Sequence, residues 1–134
     1  MIVADTNLIA YLLVPGEASE DAEMVLRLDP EWAAPVLWRS ELRNVLVSYL
    51  RRDLLTLPGA GAVMEEAESL LEGREYVLPT RAVLALAAAS SCSAYDCEFI
   101  ALAQQLAVRM VTSDRGVLRS FPEVAVTPRA FAAR

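Results

Sequence analysis

The sequence predicts an α/β fold in which helices cover both faces of a parallel sheet. Three observations lead there. Short β-type runs alternate with longer helical patterns along the chain. Those runs are apolar throughout, without the polar alternation of half-exposed strands, as strands buried on both faces must be. And 134 residues, 55% of them hydrophobic, suffice for one core, with no repeat, low-complexity tract or linker-like stretch to divide it. The chain reads as a single domain over residues 1–134.

Each element has its own signal. Ile2-Val3-Ala4 is a buried strand that stops at the helix-capping residues Asp5-Thr6-Asn7. Leu8 to Val14 continues as an apolar helix that Pro15-Gly16 ends. Ser19-Glu20-Asp21 opens a second helix with acids in its first turn; it runs to about Leu28, where Asp29-Pro30 breaks it. Trp32-Ala33-Ala34 is a short strand. From about Val36 to Asp53 the pattern is strongly helical. At 100° per residue with Glu41 at zero, its apolar stripe is Trp38, Leu42, Val45, Leu46 and Tyr49, between about 40° and 140°. Glu41 therefore sits at the edge of the buried stripe, with Asn44, Ser48 and Arg52 on its side of the helix and Arg39 and Arg43 roughly opposite.

Leu57-Pro58-Gly59 reads as a turn and Ala62 to Glu72 as an amphipathic helix closed by Gly73. Tyr76-Val77-Leu78 is a strand candidate. Thr80 caps a helix from Arg81 to about Ala89, and Ser90 to Tyr95 is a small-residue connection. Asp96 opens the next helix, to about Ala107, with Phe99, Leu102, Ala103 and Leu106 inward. Arg109 to Thr112 is a strand closed by Ser113-Asp114, Gly116 to Ser120 one or two helical turns, and Val124-Ala125-Val126 the last strand.

Composition excludes whole classes of chemistry. All 12 cations are arginines; lysine and histidine are absent, and 18 acids bring the net charge to −6. Without histidine there is no Ser-His-Asp triad and no His-ligated zinc. Without lysine there is no Schiff base and no P-loop. Carboxylates remain, and these are hard ligands suited to Mg²⁺ or Mn²⁺. Cys92 and Cys97, five positions apart, form no disulfide framework and no C-x-x-C pair; buried thiols in a reducing compartment are expected. No basic stretch precedes the N-terminal apolar run, and the longest uncharged run, Ala82 to Tyr95, is too short to span a bilayer. A cytoplasmic protein with no membrane segment is expected. The excess acid lies in residues 1–67, while residues 115–134 carry Arg115, Arg119, Arg129 and Arg134 against Glu123 alone.

In open α/β sheets, ligands bind beyond the carboxyl ends of the strands. Asp5 follows the first strand, Asp114 ends the Met110 strand, Asp96 starts a helix after a loop, and Glu41 lies near the start of the long helix. Singly, each has an ordinary explanation as a cap, a turn residue or a solvated face. Together, four carboxylates with no paired cation would repel one another unless divalent ions neutralise them.

These residues carry a resemblance. Ile2-Val3-Ala4-Asp5-Thr6-Asn7, Pro35 with Ser40-Glu41-Leu42, Tyr95-Asp96-Cys97-Glu98-Phe99-Ile100-Ala101-Leu102-Ala103 and Val111-Thr112-Ser113-Asp114 stand in the order and spacing of a PIN-domain ribonuclease of the VapC toxin type. The chain resembles that family across nearly its whole length. The resemblance implies a three-layer α/β/α sandwich with a central parallel sheet and Mg²⁺- or Mn²⁺-dependent hydrolysis of RNA. It matches Asp5, Glu41, Asp96 and Asp114 to the family's catalytic and metal-binding acids. Thr112 matches a hydroxyl that would hold a water of the metal site, and Thr6 and Asn7 match positions that orient Asp5. Cys97 stands where alanine is common and is expected only to pack. Glu98 falls about 200° from Asp96 on a helical wheel, so it is expected at the surface.

The mechanism so implied is metal-assisted in-line attack of water on a phosphodiester. One ion is held mainly by Asp5, Asp96 and Asp114, and Glu41 helps bind a second or orients the nucleophile. Arg115 and Arg119, just after Asp114, and Arg52, on the Glu41 side of its helix, are candidate RNA contacts; ordinary solvated surface is the competing explanation. The resemblance also implies a cognate antitoxin that inserts a peptide near the acids, and a homodimer. Leu46, Val47, Leu50, Leu54, Leu55 and Leu57 could supply part of the dimer face, or simply more core. Haloacid-dehalogenase-like phosphatases and response-regulator receivers fail on the missing lysine. The remaining alternative is a PIN-like protein-interaction module with little nuclease activity, which an unused acidic cluster disfavours.

Overall fold

A computed structural model describes residues 1–133; Arg134, counted above in the basic C-terminal stretch, lies outside the described residues. The strands are β1 (Ile2–Ala4), β2 (Trp32–Pro35), β3 (Glu75–Tyr76), β4 (Met110–Val111) and β5 (Ala125–Val126). The helices are α1 (Thr6–Leu13), α2 (Ser19–Leu28), α3 (Trp38–Arg51), α4 (Leu57–Leu70), α5 (Thr80–Ala88), α6 (Ala94–Leu106), α7 (Arg115–Ser120) and α8 (Pro128–Ala132).

All strand pairs are parallel, in the order β3-β2-β1-β4-β5. Val3 pairs with Ala33 on one side and Met110 on the other, so β1 is the central strand. It is buried on both faces, as are β2 and β4, which is why their sequences are continuously apolar. Trp32, Trp38, Phe99, Leu42 and Ile100 are fully buried and form the bulk of the core with the strand residues. Short loops send each crossover helix back across the sheet, so the helix N-termini gather beyond its carboxyl edge.

Several boundaries differ from expectation. Helix α4 begins at Leu57 and not at Ala62, because Thr56 caps it by accepting from the Gly59 N–H (3.1 Å) and Pro58 lies in its first turn. Leu57-Pro58-Gly59 is thus a helix start and not a turn. Helix α6 is opened by Ser93, whose Oγ accepts the Asp96 N–H at 3.1 Å; Asp96 sits inside the first turn and is not the cap. The third strand is Glu75–Tyr76, leaving Val77 exposed. Helix α8 was not anticipated; Thr127 caps it and Pro128 begins it.

One contact fixes the helix that carries Glu41. Glu75 on β3 accepts from the Trp38 indole (2.7 Å) and from Arg39 through two bonds (2.7 and 2.9 Å). Arg39 holds the Glu75 carboxyl below the ordinary range, with the Trp38 bond adding to the effect. The charge therefore contributes stability at neutral pH, and that contribution is lost as acid protonates Glu75 in the folded state. Glu75→Ala is expected to cost about 1–2 kcal/mol, because it leaves the buried indole N–H unpaired. Thermal denaturation at pH 7 and below pH 4 checks this: the deficit should shrink in acid.

Candidate active site

The chain runs from β1 outward through β2 to β3, then crosses back to β4 beside β1. The β1/β4 junction is therefore the topological switch point, where α/β sheets leave a crevice. A cleft of about 220 Å³ opens there, lined by Asp5, Thr6, Asn7, Glu41, Asn44, Val45, Asp96 and Asp114. The structure thus brings together the four acids singled out from sequence. Each stands at a helix start: Asp5 at the N-cap of α1, Glu41 and Asp96 in the first turns of α3 and α6, Asp114 at the N-cap of α7. The positive ends of the helix dipoles ease the gathering of negative charge.

Hydrogen bonds fix the side chains. The Asp5 N–H donates to the Val111 carbonyl (3.2 Å), locking the end of β1 to β4. Fully buried Thr112 donates its hydroxyl to Asp5 Oδ2 (2.7 Å) and accepts the Asp114 N–H (3.0 Å). One hydroxyl thereby ties two of the acids across the switch point. Its proton is committed to Asp5, so Thr112 positions a carboxylate, and one lone pair of its hydroxyl remains free to accept from water. Asp114 Oδ1 accepts the Val117 N–H (3.0 Å), which leaves Oδ2 for the cleft. A Cβ at position 116 would come within 3.2 Å of that Oδ1, so Gly116 gives the carboxylate its room.

Thr6 does not orient Asp5 with its side chain. Its buried hydroxyl donates to Glu41 Oε1 (2.8 Å), pinning the glutamate between α1 and α3. Asn7 is exposed on the cleft wall and, among the described residues, makes no side-chain hydrogen bond to Asp5. Asn44 and Val45 also line the cleft; the helical wheel had put Asn44 on the Glu41 side but gave it no role. Glu98 is partly exposed and does not line the cleft, as expected, although its charge acts on Glu41. Arg115 and Arg119 are exposed on α7 beside Asp114 without lining the cleft. Arg52 lines a different pocket, against Tyr49.

Burial raises the pKa of Asp5, against the lowering effect of the Thr112 and Thr6 bonds, and the charges of Asp114 and Asp96 raise it further. Glu41 is raised by burial, then by Asp5, Asp96 and Glu98, against its Thr6 bond. Asp96 is raised by burial and by Asp114. Among the described residues no arginine forms an ion pair with any of the four acids. Arginines 39, 74 and 109 are engaged elsewhere, with Glu75 and with backbone carbonyls. The four carboxylates line the walls of the cleft and, among the described residues, do not already close into a three-ligand group. The result is a cleft of hard oxygen donors whose mutual repulsion is, among the described residues, offset by no arginine.

Fold and cleft define an α/β domain with an acidic crevice at its switch point. The sequence profile of the PIN domain family matches residues 2–125, and the chain belongs to that family. It is 32% identical to Ribonuclease VapC3 of Pyrobaculum aerophilum over 130 residues, covering 95% of this chain and 98% of the relative. It superposes on the crystal structure of PAE2754 from Pyrobaculum aerophilum with a TM-score of 0.74 at 19% identity, over 99% of this chain and 94% of that one. A chain of a toxin–antitoxin complex from Klebsiella pneumoniae gives a TM-score of 0.67 at 19% identity, over 96% and 98%. At these identities the two structures establish the fold: a five-stranded parallel sheet between helical layers, as expected. No helix among the described residues is long and apolar enough to cross a membrane.

Proposed function

We propose that this chain is a divalent-metal-dependent ribonuclease that hydrolyses RNA phosphodiester bonds, and that it is the toxin of a type II toxin–antitoxin pair. The observation that carries the reading is the set of four carboxylates on one cleft with, among the described residues, no arginine to neutralise them. The ribonuclease name of the 32% identical relative supports it. Asp5, Asp96 and Asp114, with Glu41, would hold Mg²⁺ or Mn²⁺, which supplies positive charge for the phosphoryl oxygens and acidifies water. Thr112 keeps Asp5 and Asp114 in register. Thr6 keeps Glu41 turned into the cleft, where it orients the attacking water. Arg115 and Arg119 offer phosphate contacts at the rim of an otherwise acidic site.

The partners proposed are an RNA substrate, a cognate antitoxin and a second copy of the chain, in the cytoplasm. An antitoxin arginine entering the cleft would pair with the acids in place of the cation. The dimer face must be smaller than the leucine run suggests. Leu46 is buried, Leu50 and Leu55 pack partly against the core, and only Leu54 and Leu57 are largely exposed.

The test is cleavage of end-labelled single-stranded RNA by the purified chain. Cleavage is expected with Mn²⁺ or Mg²⁺, is abolished by chelation, and is suppressed by the protein encoded beside it if that protein is the antitoxin. A clean preparation that binds neither ion and cleaves no RNA contradicts the reading.

A further inference from the structure

We propose that a second pocket, built on the same two helices as the acidic cleft, is an RNA subsite that seats a nucleobase and its phosphate a few nucleotides from the scissile bond. This rests on the ribonuclease reading above. The pocket, about 520 Å³, lies between α1, α3 and the loop 14–19, with Tyr11, Tyr49 and Arg52 among its lining residues. The two sites are linked by helical rows. Asn7 lines the cleft, and Tyr11, one turn on, lines the pocket. Val45 lines the cleft, and Tyr49, one turn on, lines the pocket. Exposed Asn44, Ser48 and Arg52 form a polar row from one to the other, about 12 Å along α3. A strand leaving the cleft between α1 and α3 meets this pocket next.

The pocket has the chemistry of a single-strand site. Its two half-buried tyrosine rings offer stacking surfaces, and neither hydroxyl has a hydrogen-bond partner among the described residues. Arg52 lies over the Tyr49 ring at 5.8 Å and, among the described residues, has no carboxylate partner, so its charge is free for a phosphate. The rim is built: the Ser19 hydroxyl donates to the Tyr11 carbonyl (2.7 Å) and accepts the Gly16 N–H (3.0 Å), bracing the loop. Glu17 is the one acid lining the pocket, and it opposes an anion there. An acidic cleft attracts RNA poorly by itself, so a cationic and aromatic neighbour supplies what it lacks.

The experiment compares cleavage of a single-stranded RNA oligonucleotide with hydrolysis of bis(p-nitrophenyl) phosphate, which reaches the cleft alone, both with Mn²⁺. Tyr11→Leu and Tyr49→Leu are each expected to raise KM for the RNA roughly 5- to 100-fold, with Tyr49→Phe restoring it. Arg52→Gln, at an exposed position, should lower the slope of log KM against log salt by about 0.7. Hydrolysis of the small diester should not change in any variant. Unchanged RNA KM across the variants overturns the subsite, even if binding of a protein partner weakens. Equal losses on both substrates overturn it as well, since they mark a structural role. A wild-type chain inactive on both substrates removes the ribonuclease reading itself, and the subsite with it.

Discussion

Asp5→Asn is expected to abolish metal-dependent RNA cleavage and, in the same protein, to raise the melting temperature measured in chelator. The two effects have one cause. Asp5 is pressed among like charges and withdrawn from water, so its charge is unfavourable to the fold when no cation is present. Asparagine keeps an oxygen to accept the Thr112 hydroxyl, now at 2.7 Å from Oδ2, and removes the charge. Activity should fall by about 10³-fold or more, the effect of several kcal/mol of lost charge stabilisation on the transition state. A variant that melts below wild type without metal would show that the carboxylate is structural. One that cleaves RNA at the wild-type rate would remove Asp5 from the site.

The same conflict between function and stability explains what could be read from the sequence. The strands were legible because β1, β2 and β4 are buried on both faces and must be apolar along their whole length. The α3 stripe was legible because one face of that helix is core: Trp38, Leu42 and Leu46 are buried and Val45 and Tyr49 half-buried. The four acids stood out together and not singly, because each falls after a strand or at a helix start, where a lone acid is an ordinary cap, but four such positions share the carboxyl edge of one parallel sheet. Helix starts built on proline were misread or missed. Pro58 after Thr56 and Pro128 after Thr127 are first-turn prolines behind a hydroxyl cap, a pattern that locally resembles a turn. The partner of each hydroxyl was not legible either. Thr6 follows Asp5 in sequence yet serves Glu41, 35 positions away, while Thr112 serves Asp5 across 107. Such pairings arise from the β1/β4 junction and the packing of α1 on α3, which no local spacing encodes. The pocket at Tyr11 and Tyr49 escaped for the same reason, because its walls come from separate helices and a loop.

Divalent ions should stabilise the protein strongly, and the stabilisation should grow with pH. An ion at 100 times its dissociation constant contributes about 2.7 kcal/mol. For a chain of this size that is on the order of 10 °C in melting temperature. The pH sign follows from the raised pKa values of Asp5, Glu41 and Asp96. In the metal-free protein above those values, the three are charged in both folded and unfolded states, and the fold carries the repulsion. As pH falls through the folded values the native state takes up protons first, so the contribution of these groups to stability rises until the ordinary carboxylate range is passed. Bound ion reverses the trend, because protons now compete with it. Melting curves of wild type and Asp5→Asn from pH 5 to 8, with Mn²⁺ and with chelator, isolate the site from every other titrating group. Without metal, the excess stability of Asp5→Asn over wild type should be greatest where all these acids are charged and should shrink as pH falls through their raised folded values. With Mn²⁺, wild type should overtake the variant, by most at pH 8. A gap between the two proteins that neither pH nor Mn²⁺ alters would mean that the four carboxylates share a cleft without sharing a cation.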